Sequence, residues 1–120
     1  MPSRIVWCDI PVLDLDRAIH FYSCILGEPV TKQVFGETSI GLFPDADTAA
    51  SGCLYQSPDD KPSAIGPLVY LNCSGRLEEA LSQVELSGGK VLQPKHAIGS
   101  HGSRAIIMDS EGNRIALHSS

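Results

Sequence analysis

Residues 5–27 read IVWCDIPVLDLDRAIHFYSCILG, and the hydrophobic period changes in the middle of this stretch. From Ile5 to Val12 the residues alternate as in a strand. Val6, Cys8, Ile10 and Val12 fall on one face; Ile5, Trp7, Asp9 and Pro11 fall on the other. From Leu15 onward the spacing is helical, with Leu15, Ala18, Ile19, Tyr22 and Leu26 in one stripe. Asp14 stands where a capping carboxylate accepts an orphan backbone N–H. Gly27 supplies a left-handed end, and Pro29 blocks continuation.

The same order recurs downstream. Residues 68–73 alternate as a strand with Val69, Leu71 and Cys73 on the apolar face, and Ser74 is a candidate cap. Leu77, Ala80, Leu81 and Val84 form the next helical stripe, which Gly88-Gly89 ends. Leu77, Ala80 and Gly89 each follow Leu15, Ala18 and Gly27 by 62 positions. Gly52–Ser57 and Arg114–Ser119 repeat the same interval, so a duplicated unit is the simplest account. Each unit reads as strand, helix and three strands. The later strands are expected near 29–36, 38–43 and 51–56, then near 90–97, 103–109 and 113–118. This predicts an α+β fold of two βαβββ modules in one domain spanning 1–120. Module one covers about 4–57, a proline-bearing connector about 58–66, and module two about 67–119.

Composition bounds the function. A chain of 120 residues and 12.8 kDa, 42% apolar and 19% charged, supports one packed domain. Nine Lys and Arg against 14 Asp and Glu give a net charge of −5, the wrong sign for a nucleic-acid footprint or a polybasic membrane anchor. No apolar run reaches the ~20 residues of a membrane span, and MPSRIVWCDI lacks a signal-peptide core. The expected location is the cytoplasm. The four cysteines, Cys8, Cys24, Cys53 and Cys73, contain no C-x-x-C pair and are expected to be reduced, packed thiols.

The stretches Ile10–Ala18, Phe21-Tyr22 and Leu26-Gly27, with Val69–Asn72, Gly88–Val91 and Asp109–Ile115, resemble the vicinal oxygen chelate superfamily. That group includes glyoxalase I, bleomycin-resistance proteins, fosfomycin-resistance enzymes and extradiol dioxygenases. The resemblance covers nearly the whole chain and is nearest to small glyoxalase-like members. It implies mixed sheets curled into a cup, helices on the convex side, and a homodimer. It also implies four metal-ligand positions inside the cup, which fall on Trp7, Leu54, Leu68 and Ala116. None of these side chains binds a divalent ion, which needs imidazole, carboxylate or thiolate. No metal or other cofactor is therefore expected, and the four positions read as an apolar floor.

One layer along the strands the equivalent positions are Asp9, Gln56, Tyr70 and His118, a polar ring beside which Asn72 is placed. The principal expectation is a small-molecule-binding protein whose pocket is lined by Trp7, Asp9, Leu54, Gln56, Leu68, Tyr70, Asn72, Ala116 and His118. Its partner would be a small organic molecule, and the negative net charge favours encounter with a cation. The alternative is a lyase or isomerase of the glyoxalase type, with Asp9 and His118 as an acid/base pair or as ligands of a displaced metal. The segment Lys95–Arg104, with His96, His101 and four glycine or serine residues between 99 and 103, reads as a hairpin. Its Lys95, His101 and Arg104 are candidates to meet an anionic group. There is no phosphate-loop, serine-elbow or zincin motif.

Overall fold

The computed structural model describes residues 3–120. Module one contains β1 (Trp7–Pro11), α1 (Leu15–Leu26), β2 (Thr31–Phe35), β3 (Thr38–Leu42) and β4 (Ser51–Tyr55). Module two contains β5 (Val69–Asn72), α2 (Leu77–Val84), β6 (Lys90–Ala97), a 3-10 turn at Gly99–His101, β7 (Ser103–Met108) and β8 (Arg114–Ser119). Asp14 caps α1 by accepting from Arg17 N at 3.1 Å, and Gly27 ends it at φ 72°. The second helix starts differently. Ser74 does not cap it; Arg76 occupies the N-cap without a side-chain cap bond, and its guanidinium donates instead to Ile25 O at the end of α1.

Each module forms its own four-stranded mixed sheet, in the orders β1-β4-β3-β2 and β5-β8-β7-β6. In each, the first strand runs parallel to the last, and the remaining pairs are antiparallel. The two sheets are not hydrogen-bonded into one closed cup. A shared core covers one face of both, with α1 packed on α2. Ile10, Val12, Phe21, Tyr22, Ile25 and Leu54 from module one meet Leu77, Val84, Ile107, Ile115 and Leu117 from module two. The opposite face of each sheet is open.

The turn between β7 and β8 clasps the modules together. Asp109, Glu111 and Asn113 are buried. Glu111 Oε1 accepts from the backbone of Leu13 and Asp14 at 2.9 and 2.8 Å, and Arg17 donates to both of its oxygens. Tyr22 donates to Asp109 at 2.5 Å, while Asn113 donates to Pro11 O and to Asp109. The Asp109–Ile115 motif is thus the polar joint that satisfies the amides of Leu13 and Asp14, in the turn leading into α1. Among the described residues no helix is long and apolar enough to cross a membrane.

Candidate functional site on the open sheet faces

Strand pairing decides which side chains share an open face, because paired residues point the same way. In module one Asp9 pairs with Cys53, and Pro11 with Tyr55. Trp7 and Asp9 therefore lie on the open face, as their spacing predicts. Trp7 Nε1 donates to Asp9 Oδ1 at 2.8 Å, and the Cys53 thiol donates to the same oxygen at 3.3 Å.

Leu54 and Gln56 are corrected. Leu54 is fully buried in the core beneath the helices, and Gln56 Oε1 accepts from Leu15 N at the start of α1. The open-face positions of β4 are Cys53 and Tyr55 instead. The reason is a one-residue difference between the modules. Val12 N donates to Tyr55 O, and Cys73 N donates to His118 O, so the counterpart of His118 is Tyr55, 63 positions earlier. The interval of 62 read for the last strand was one short, and a slip of one residue reverses the face.

In module two the expected face holds for the strand residues. Tyr70 pairs with Ala116 and Asn72 with His118, opposite the core face of Val69, Leu71, Ile115 and Leu117. Leu68 precedes β5 and is half-buried. Asn72 Oδ1 accepts from Ser74 N at 2.9 Å, so its side chain shapes the turn after β5. Beside His118, β7 contributes Arg104 and β6 contributes His96. Asn72, His118, Arg104 and His96 thus form one row across all four strands.

A hollow of about 540 Å³ opens on this face, lined by Tyr70, Ile98, His101, Arg104 and His118. Arg104 donates to His96 Nε2 at 3.0 Å and to the Tyr70 hydroxyl. His118 Nε2 lies 2.6 Å from His101 O, which as a carbonyl can only accept. That nitrogen therefore carries the proton of this bond. The Tyr70 and His118 rings meet edge to face at 6.1 Å between centroids. Of the other hairpin candidates, Lys95 pairs with Glu78 on α2 rather than entering the hollow.

Asp9 and His118 occupy different sheets, and each draws its hydrogen-bond partners from its own module. The polar ring does not assemble within one chain. Metal chemistry at the positions implied by the resemblance fits poorly. With β4 corrected, Cys53 is the one donor among Trp7, Cys53, Leu68 and Ala116. Burial, then its hydrogen bond to Asp9, pushes the Cys53 thiol up to about 11. One sulfur beside an indole and two aliphatic side chains falls short of the three or four ligands that a divalent ion takes from a protein. Among the described residues no three His, Cys, Asp or Glu side chains gather to hold an ion. Cys53 and Tyr55 escaped the sequence reading, although a parallel pairing of β1 with β4 would have exposed them.

The architecture has many known counterparts. A glyoxalase/bleomycin resistance protein from Albidiferax ferrireducens T118 superposes with TM-score 0.75 at 15% identity, covering 98% of this chain and 99% of its own. A fosfomycin resistance protein from Mesorhizobium loti gives 0.65 at 11% identity, covering 100% and 93%. A glyoxalase I mutant from Zea mays gives 0.68 at 18% identity, over 95% of this chain and 45% of that one. Comparison with curated proteins finds no match. At these identities the likeness establishes the fold alone. The sequence match is what assigns membership: the family model for the Glyoxalase/Bleomycin resistance protein/Dioxygenase superfamily covers residues 4–117, and the chain belongs to that superfamily.

Proposed function

We propose that the chain is a small-molecule-binding member of its superfamily, acting as a homodimer in the cytoplasm and without a metal at the usual positions. The observation that carries this reading is the open hollow on the second sheet, where Tyr70, Ile98, His101, Arg104 and His118 line about 540 Å³. Ligand sites commonly have ~300–1,000 Å³ and combine apolar walls with a few convergent polar groups. Trp7 and Asp9 on the first sheet supply a second polar–aromatic surface. Dimerisation is supported by the two unclosed sheets. Setting the first sheet of one protomer against the second sheet of its partner closes two equivalent cups about a twofold axis. An acid/base role for Asp9 with His118 has less support, because it rests wholly on the dimer to bring the two sheets together.

The test is a small-molecule screen by NMR on wild type, Trp7→Ala and His118→Ala. Ligands should shift the His118 signals. Trp7→Ala should weaken binding by more than ~1 kcal/mol through lost stacking and burial. Hits indifferent to both substitutions would place binding elsewhere and end this reading.

A further inference from the structure

The geometry points to an organic anion as the ligand class: a small carboxylate, gripped by Arg104, whose apolar part rests against Tyr70 and Ile98. This rests on the small-molecule reading above and narrows it. It runs against the sign of the net charge, which is −5. The global field acts on encounter, whereas the contact is decided by the one strong charge inside the hollow.

Arg104 is held in place by neutral groups. Its Nε donates to His96 Nε2, and one terminal nitrogen donates to Tyr70. His96 accepts at Nε2, so its proton sits on Nδ1, 2.9 Å from Pro94 O. Neither partner offsets the guanidinium charge. The ion pairs of the described residues join Arg17, Lys32, Arg76 and Lys95 to carboxylates; no carboxylate lies within ion-pair distance of Arg104. The guanidinium carries five N–H donors, and two are committed.

Beside it stand the Tyr70 hydroxyl, which accepts from Arg104 and keeps its own proton to donate, and the ring of His118, which shares a strand-to-strand pair with Arg104. A fixed, half-buried guanidinium without a counter-charge, next to a phenol with its proton free to donate, suits a carboxylate accepting two parallel N–H bonds. The half-buried Ile98 and the Tyr70 ring offer the apolar and aromatic surface for the rest of the molecule.

Three probes of one shape and different charge test the inference: benzoate, benzamidine and benzyl alcohol. Each is titrated into ¹⁵N-labelled full-length protein while the imidazole signals of His96 and His118 are followed. Benzoate should shift both signals saturably, and benzamidine neither. Arg104→Gln should weaken benzoate about tenfold or more, with the backbone amide spectrum retained. If that variant unfolds, Arg104→Lys carries the test; it keeps the charge, loses the planar fork, and should weaken benzoate severalfold. Benzyl alcohol binding as tightly as benzoate would overturn the anion assignment and leave the binding reading standing. Undiminished benzoate affinity in the arginine variant would do the same. No saturable response to any probe would also overturn the assignment, and the Trp7 and His118 screen then judges the broader reading independently.

Discussion

At the scale of single residues, Glu111 shows how one buried carboxylate joins two modules. Burial pushes its pKa up, but hydrogen bonds from Arg17, Ser110 and the backbone of Asp14 and Leu13 outweigh that and hold it below its ordinary 4.5. A depressed folded-state pKa contributes stability above the unfolded value, and that contribution is lost as pH falls through the lower folded value. Glu111→Ala should destabilise the chain by about 2–3 kcal/mol at pH 7, because two backbone donors and Arg17 lose a buried partner. The lower end of the range for broken buried pairs applies, since the Arg17 side chain is 50% exposed. Urea denaturation should show the gap between variant and wild type narrowing as pH drops below 4.5. A gap that is constant with pH would mean that the carboxylate charge contributes nothing. Tyr22, next to this joint, is pushed well above the usual phenol range by burial and by Asp109, so it remains a donor across the physiological range.

At the scale of elements, the parts that could be read were those with one clear period. The span of α1, its Asp14 cap and its Gly27 stop could be read, but its stripe was turned slightly: Phe21 and Ile25 are fully buried, whereas Ile19 and Leu26 are only half-buried. The face of β4 could not be read in the same way. Ser51–Tyr55 has Gly52, Cys53 and Leu54 all buried, so no alternation marks its inward side. Its side assignment came from the interval between modules, and that interval changes from 61 at Val12 and Cys73 to 63 at Tyr55 and His118. Ser74 was misjudged as a cap because the chain needs a further turn before α2, and Arg76 there reaches across to α1. Gly52 gives this strand a testable constraint. A Cβ at that position would lie 2.4 Å from Cys8 O on β1. Gly52→Ala should therefore push β1 and β4 apart and cost about 1–3 kcal/mol, measured by thermal or urea unfolding. Unchanged stability would mean that the two strands pack less closely than described.

At the scale of the whole molecule, the duplication, the module order and the superfamily were legible, whereas the site was legible only by half. The second sheet kept Tyr70, Ala116 and His118 on one face, and the row through Arg104 and His96 emerged only from strand pairing. The polar ring could not be judged from sequence, since it depends on how two open sheets face each other. Sedimentation equilibrium should give twice the 12.8 kDa chain mass; a monomer at all concentrations would refute the paired-cup arrangement. The clasp has one more consequence, for the order in which the chain is made. The amides of Leu13 and Asp14 find their acceptor on Glu111, 98 and 97 positions later. During synthesis from the N-terminus, α1 emerges early, but the turn that leads into it lacks these acceptors until Glu111 has left the ribosome. The two halves share one plan, yet the first depends on the second to complete the approach to its helix. Nascent chains stopped short of residue 109 should therefore be the form most exposed to chaperones and proteases.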